Sequence, residues 1–183
     1  MFFPALLDAN VLVPIHLTDL TLRLAEAETY RPLWSEQVLD EVERNLPKVG
    51  LTADQARRRM GFLRSEFPDA MVTDFESLID AMTNDPKDRH VLAAAVRANA
   101  EIIVTANVKH FPAKACDPYD IGVVSPDEFL LDQLDLYEAE TLQCLRELVE
   151  DLTRPPTSMP EFLEQFRKTV PNFVDEVTPL LTR

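Results

Sequence analysis

Residues 85–107 read DPKDRHVLAAAVRANAEIIVTAN and contain both kinds of element from which the fold is built. Asp85 suits an N-cap and Pro86 the first helical position, so a helix is predicted from there to about Asn99. The β-branched run Ile102–Thr105 follows after a short link and predicts a buried strand. A helix that leads directly into such a strand is typical of a parallel α/β unit.

The same alternation extends over most of the chain. Short apolar segments bounded by turn or cap residues predict further strands at Phe2–Leu7, Ala70–Val72 and Ile121–Val124. Amphipathic spacing predicts helices from Pro14 to about Glu28, over Glu36–Leu46 after the cap Ser35, and from Thr52 to about Glu66, with a link through Pro32. We therefore expect an α/β fold with a mainly parallel sheet and helices on both faces.

The C-terminal part of the chain is expected to be helical. Ser125 and Glu128 form a capping-box pattern at the start of one helix, and Tyr137–Leu152 has the spacing of another. Shorter helical pieces follow, interrupted by prolines 160, 171 and 179. The expected organisation is a domain over residues 1–130 and a helical extension over residues 131–183.

Composition excludes several classes of function. The net charge of −14 disfavours binding of nucleic acid or anionic lipid through bulk charge. Two cysteines are too few for a disulfide framework, and three scattered glycines cannot form a phosphate-binding loop. The first residues show neither a signal peptide nor a membrane span, so a cytoplasmic protein with no membrane partner is expected.

Polar residues follow two of the predicted strands at their carboxyl ends. Asp8 comes after the first strand, and Thr105 and Asn107 come at the end of a later one. The carboxyl ends of parallel strands line the functional crevice of such sheets, so these side chains should converge there. A simple turn or capping role for Asp8 is the alternative.

Asp88 shares a helical face with a buried stripe. The residues three, four and seven positions further on are Val91, Leu92 and Ala95, so its carboxylate lies above the core side of the helix. The alternative is a favourable interaction with the helix dipole in the first turn. The expected role of Asp85 is to cap the helix. The alternative is that its side chain supports the metal ligands in the same crevice.

Glu41 lies at the edge of the apolar stripe of its helix, but helix geometry does not prefer it over Glu43 or Glu36. If three such carboxylates meet, they repel one another unless a cation neutralises them, and Mg²⁺ or Mn²⁺ suits oxygen ligands. A bound cation would also make an acidic site attractive to a phosphodiester.

Four segments, in this order over about residues 3–130, resemble the PIN-domain family, which includes VapC-type toxins. They read Leu7-Asp8-Ala9-Asn10-Val11-Leu12, Ser35…Leu39-Asp40-Glu41-Val42…Leu46, Asp85-Pro86-Lys87-Asp88-Arg89-His90…Ala94-Ala95 and Ile103-Val104-Thr105-Ala106-Asn107…His110-Phe111. The resemblance implies a three-layer α/β/α sandwich that cleaves RNA with Mg²⁺ or Mn²⁺ and is restrained by a cognate antitoxin.

The resemblance also implies the roles of individual residues. It selects Glu41, assigns Asp8, Glu41 and Asp88 as catalytic metal ligands and places Asp85 close by. Asn10, together with Thr105 and Asn107 from the end of the later strand, is expected to support these ligands. Many family members carry a further acid where this chain has Asn107, so a second metal position is in doubt. An asparagine carbonyl can still bind a cation or orient water, which predicts one firm metal and a weaker second.

Contacts with RNA would have to come from local bases. Arg57, Arg58, Arg59 and Arg64 form the dense basic cluster of the sequence, with a solvated helix face as the alternative interpretation. His16, His90 and His110 show no metal-binding spacing and are expected to be mostly structural.

Two other classes of function remain as alternatives. One is a PIN-like module that binds RNA or protein without cleavage. The other is a Mg²⁺-dependent phospho-acceptor domain, which the helical placement of the second and third acids and the absence of a lysine after Ile121–Val124 disfavour. The acidic extension can complete the core, pair subunits into a homodimer or bind the antitoxin.

Overall fold

The computed structural model describes residues 3–182, which form two compact units. The first unit contains the residues up to Pro14 and Tyr30–Val124, and the second contains Ile15–Thr29 and the residues from Ser125 onward. The second unit thus combines an early helix with the C-terminal helices. The division of the chain at residues 130 and 131 stays a prediction.

The first unit is built on a five-stranded parallel sheet with the strand order β3-β2-β1-β4-β5. Its strands are β1 (Pro4–Leu7), β2 (Arg31–Ser35), β3 (Met71–Val72), β4 (Ile102–Val104) and β5 (Gly122–Val124). Consecutive residues of β1, Ala5, Leu6 and Leu7, are fully buried, as expected of a central parallel strand. The predicted α/β fold with a parallel sheet is confirmed, while Phe2 lies outside the described residues.

Strand β2 was not predicted, because Pro32 was interpreted as part of a link. The Arg31 N–H donates to the Phe3 carbonyl at 2.9 Å, so the nitrogen of Pro32 faces away from β1. On that other side β3 pairs only with Trp34 and Ser35. Proline therefore removes no ladder hydrogen bond at this position of the sheet.

Ten α-helices accompany the sheet among the described residues. They are α1 (Ala9–Leu12), α2 (Ile15–Glu26), α3 (Glu36–Asn45), α4 (Ala53–Glu66), α5 (Arg89–Arg97), α6 (Ala113–Cys116), α7 (Pro126–Leu136), α8 (Glu138–Asp151), α9 (Met159–Phe166) and α10 (Pro171–Val177). None of these helices has the length and apolar character needed to cross a membrane.

Side-chain caps fix the helices of the first unit where the sequence predicts them. The Ser35 hydroxyl accepts from the Val38 N–H at the start of α3, and Thr52 and Gln55 form a reciprocal capping box on α4. Helix α5 packs on β1, β2 and β4 through the fully buried run Val91–Ala95. This packing holds the beginning of α5 beside the carboxyl ends of the central strands.

The second unit is a helical cluster with an aromatic core of Phe129, Phe162 and Phe173. The predicted capping box of Ser125 and Glu128 is present on α7. The C-terminal helices are confirmed, but Pro160 and Pro171 lie in the first turns of α9 and α10. These prolines begin helices because the first helical residues need no N–H partner, so they do not interrupt them.

Candidate metal centre

Asp8 follows β1 at the point where the chain connections leave the sheet in opposite directions. Strand β1 leads toward β2 on one side, whereas β4 leads toward β5 on the other. The Asp8 N–H donates to the Val104 carbonyl of β4 at 3.1 Å, which fixes the position of this residue between the two strands. Such a switch point is where open parallel sheets form their ligand crevice.

A buried hydrogen-bond network orients the Asp8 carboxylate. Asp8 Oδ2 accepts from the Thr105 hydroxyl at 2.6 Å and from the Asn10 amide at 2.7 Å, and Oδ1 accepts from the Ala9 N–H at 2.7 Å. Asn10 Oδ1 in turn accepts from the Ala106 N–H at 2.8 Å. Asp8 is therefore both the cap of α1 and the centre of a polar cluster, so the two interpretations of this residue are compatible.

The environment of Asp8 disfavours its charge. Asp8 is only 3% exposed, and burial raises the pKa of its carboxyl group, while the hydrogen bonds from Thr105 and Ala9 act in the opposite direction. The negative charges of Asp88 and Glu41 raise this pKa further. The three predicted ligands are thus close enough for their charges to interact.

Asp88 stands at the N-terminus of α5 without capping it. Its side chain makes no capping hydrogen bond with any residue that the structure describes, and it is only 14% exposed. Instead, Asp88 Oδ2 lies 2.6 Å from Nδ1 of His110. Asp85 is a cap, as predicted, but of the 3₁₀ turn Pro86–Asp88, where its Oδ1 accepts from the Lys87 N–H at 3.0 Å. The α-helix itself begins three residues later than the predicted start at Pro86, with Arg89.

Glu41 is the acid of α3 that faces the site. Its Oε1 lies 2.9 Å from Nε2 of His90 on α5, and its side chain is 33% exposed. Glu43 is exposed, and Glu36 is paired with Arg64. Of these three glutamates, Glu41 lines the cleft that also contains Asp8 and Asp88.

A single cleft of about 400 Å³ collects the acidic residues. Asp8, Glu41 and Asp88 line it together with Asn10 and Asn107. Thr105 lies directly beneath, since its hydroxyl accepts from the Asn107 N–H at 3.0 Å while it donates to Asp8. The remaining lining residues are Ala9, Val13, Pro14, Asn45, Lys48 and Val49.

The donor atoms of the site suit a divalent cation. Asp85, Asp88 and His110 each offer one ligand atom, and these atoms lie within 4.8 Å of one another. Asp8 and Glu41 lie outside this close set and add carboxylate oxygens from the same cleft as Asp88. Because the facing carboxylates raise the pKa of Asp8, a cation bound here would relieve an unfavourable interaction that the fold imposes.

His90 and His110 are the site residues that the sequence analysis missed. Each contacts a carboxylate that the sequence predicted as a ligand, His90 that of Glu41 and His110 that of Asp88. Each contact joins residues of different elements: His90 on α5 contacts Glu41 on α3, and His110 in the turn after β4 contacts Asp88 at the start of α5. The spacing of the histidines along the chain therefore does not predict these contacts. The position of His110 just beyond the polar end of β4 is the signal that could have pointed to it.

The basic cluster on α4 is largely engaged in local contacts. Arg57 pairs with Asp54 at 3.1 Å, Arg64 pairs with Glu36, and Arg59 donates to the Leu12 carbonyl at 3.1 Å. The Arg58 Nε lies 3.4 Å from the backbone oxygen of Asp54. Within residues 3–182, none of the four arginines lines the acidic cleft. A role of this cluster in RNA binding stays a prediction.

Fold and site together define an α/β protein with a carboxylate centre at the switch point of a parallel sheet. A family model described as PIN domain matches residues 4–109, and a model described as VapC50 C-terminal domain matches residues 126–179. Because the first match covers more than half of the chain, the chain belongs to the PIN domain family.

A curated relative extends the comparison. The chain is 50% identical over 99 residues to "Putative ribonuclease VapC50" of Mycobacterium tuberculosis (strain ATCC 25618 / H37Rv). This alignment covers 54% of the chain and 59% of the length of that protein. No solved structure matches the chain.

Proposed function

We propose that this protein is an endoribonuclease that depends on Mg²⁺ or Mn²⁺ and cleaves RNA phosphodiesters. The observation that carries the proposal is the convergence of Asp8, Glu41 and Asp88 in one cleft. Membership of the PIN domain family supports it, as does the similarity to the relative named "Putative ribonuclease VapC50".

The three carboxylates are the proposed ligands of the cation. A divalent cation bound by carboxylates activates water and stabilises the charge that develops on a phosphate. Asp8 contributes an oxygen that three donors hold in one orientation, so it needs little reorganisation for binding. Because Asp8 is buried, its interaction with a bound cation is less screened by water than at the surface.

Histidines are the proposed positioning residues of the two other ligands. An imidazole N–H that donates to a carboxylate restricts its rotation, as do other partners that surround metal ligands. His110 does this for Asp88 and His90 does it for Glu41. Asn107 stands in the cleft without a negative charge, so we assign one firmly bound cation and a weaker second.

The biological role that we propose is that of the toxin of a type II toxin–antitoxin system. The support is the similarity to a relative named VapC50, together with the match of residues 126–179 to a VapC50 C-terminal domain. RNA and a cognate antitoxin would then be the partners, and both would be met in the cytoplasm. Residues 1–130 would form the nuclease, and the extension over residues 131–183 would bind the antitoxin or pair two copies of the chain.

The proposal is tested with purified protein free of any partner. It is incubated with a pool of single-stranded RNA and Mg²⁺ or Mn²⁺, next to Asp8→Asn and next to a sample with EDTA. Cation-dependent cleavage by the wild type alone is the expected result. Equal cleavage by the variant would assign the activity to a contaminant or another centre, and RNA binding without cleavage by either protein would replace the nuclease by a binding module.

A further inference from the structure

The acidic cleft contains a single cationic side chain among the residues of 3–182 that line it, and this side chain is Lys48. Lys48 lies in the 3₁₀ turn Leu46–Val49 that follows α3, the helix of Glu41. It therefore reaches the cleft that also contains Asp8 and Asp88 from the element that positions Glu41.

The backbone holds this turn in place. Pro47 occupies its first turn, and Gly50 ends it in the left-handed region at φ 90°, where its N–H donates to the Pro47 carbonyl at 3.1 Å. Leu46 is fully buried and anchors the turn to the core. The flexible side chain of Lys48 thus starts from a defined point at the cleft.

The direct hydrogen-bond partner of Lys48 is a neutral side chain. Its ammonium group donates to Asn45 Oδ1 at 2.8 Å, and the Asn45 amide donates to the Glu41 carbonyl at 2.7 Å. Lys48 forms no ion pair with any carboxylate in the part of the chain that the structure describes. A neutral asparagine therefore steers the ammonium group without neutralising it.

The negative charge of the cleft opposes binding of RNA. Three carboxylates repel a phosphodiester, and a bound divalent cation removes only part of that repulsion. A lysine is a compact point charge that binds phosphate oxygens without a fixed geometry. The arginines of α4, in contrast, are engaged with Asp54, Glu36 and the Leu12 carbonyl.

We propose that Lys48 binds a phosphate of the RNA next to the one that is cleaved, and that the apolar residues Val13, Pro14 and Val49 contact the sugar or base between them. The apolar residues line the same cleft, and Val49 is 43% exposed. This inference rests on the proposed function, since it places the substrate of that activity. Lys48 is the residue that determines how strongly the chain holds RNA across the acidic site.

Binding tests the inference separately from cleavage. A fluorescein-labelled single-stranded RNA of random sequence is titrated in Mg²⁺ at several salt concentrations, with Asp8→Asn present in every protein to prevent turnover. Asp8→Asn alone is compared with the double variants that add Lys48→Gln, Lys48→Arg or, as the matched control, Lys114→Gln. Lys114 is an exposed lysine on α6 that does not line the cleft as the described residues form it.

Lys48→Gln is expected to weaken binding about 10-fold and to lower the slope of log K against log salt by about 0.7, as for one lost phosphate contact on a single strand. Lys48→Arg should recover most of the affinity, and Lys114→Gln should leave affinity and slope unchanged. In otherwise wild-type protein, Lys48→Gln should raise KM about 10-fold and change kcat less than about 2-fold, because a contact equal in ground and transition states alters only binding.

Equal affinity and equal salt slope for Lys48→Gln and Lys114→Gln would overturn the inference. A fall in kcat with unchanged KM would also overturn it, because Lys48 would then act on the reacting phosphate. Either result would leave cleavage by the wild type, and thus the proposed function, intact. Absence of cation-dependent cleavage by the wild type would overturn the proposed function and, with it, this inference.

Discussion

Replacement of Thr105 by valine tests the hydrogen-bond network that orients Asp8. Thr105 is fully buried, and its hydroxyl donates to Asp8 Oδ2 at 2.6 Å while it accepts from the Asn107 N–H at 3.0 Å. Valine has nearly the same shape but lacks the hydroxyl. The substitution therefore removes one donor from a buried carboxylate and leaves the Asn107 N–H without this acceptor. It also removes a longer contact, in which the Asn10 amide donates to the Thr105 hydroxyl at 3.2 Å, while that amide keeps its bond to Asp8.

The expected loss of stability follows mainly from the contacts of Thr105 with Asp8 and Asn107. A hydrogen bond to a charged group contributes about 1.5–3 kcal/mol, and an unsatisfied polar group that is partly buried costs about 1 kcal/mol more. We expect Thr105→Val to lower the free energy of unfolding by about 2.5–4 kcal/mol at neutral pH without metal. Thr105→Ser keeps the hydroxyl and should lose only about 1 kcal/mol through the missing methyl group.

The loss should depend on pH with a definite sign. The hydrogen bond from Thr105 lowers the pKa of Asp8, so its removal raises the pKa of the folded variant above that of the folded wild type. An acid whose pKa is raised in the folded state adds most to the free energy of unfolding below its unfolded pKa. This stabilisation is lost as the pH rises through the folded pKa. The destabilisation by Thr105→Val should thus be largest at neutral pH and should shrink toward about pH 4.

Urea unfolding in EDTA, measured at several pH values for wild type, Thr105→Val and Thr105→Ser, provides the assay. We expect the difference in the free energy of unfolding between the valine and serine variants to decrease toward acid pH. A difference that is constant with pH would refute it, because the lost stability would then come from packing and would not involve the charge of Asp8.

Three further predictions address the site and the core. His110→Gln removes the imidazole that contacts Asp88 and should weaken Mn²⁺ binding about 10-fold in calorimetry. Lys109→Gln, a change at the adjacent exposed lysine, is the control and should have little effect. Equal effects of the two changes would argue against a positioning role of His110. Asn107→Asp should increase the number of bound Mn²⁺ ions, and unchanged stoichiometry together with unchanged activity would remove the idea of a weak second site. Cys144 is buried, and burial raises the pKa of its thiol to about 11. A disulfide reagent at about pH 8 should therefore modify this cysteine only after unfolding. Rapid modification of Cys144 in the folded protein would contradict the structure.

Local sequence signals predicted much of the fold because they act over a few residues. Ser35, Thr52 and Ser125 cap helices as their side chains predict, and the run at Ile102 forms a strand. Convergence of Asp8 with Thr105 was also predictable, because the carboxyl ends of parallel strands share one edge. Strand β2 was missed because the effect of Pro32 depends on which neighbouring strand its nitrogen faces.

The remaining features of the site depend on contacts between distant parts of the chain. Helix periodicity could not show which of Glu41 and Glu43 lies at the site. The contact that distinguishes Glu41 is with His90, which lies on another helix. The contact of His110 with Asp88 similarly joins a turn after β4 to the beginning of α5. Only the packing of these elements on the sheet brings the side chains together, and a single sequence does not record that packing.

The acids of α3 allow the most direct test of the central claim that one carboxylate cleft performs the cleavage. Glu41 lines this cleft, whereas Glu43, two residues further along the same helix, is exposed. The measurement is kcat for cation-dependent RNA cleavage by Glu41→Gln and Glu43→Gln, with circular dichroism to verify the fold. If the cleft performs the cleavage, kcat should fall about 100-fold or more for Glu41→Gln and less than about 2-fold for Glu43→Gln. Equal activity of the two folded variants would contradict it.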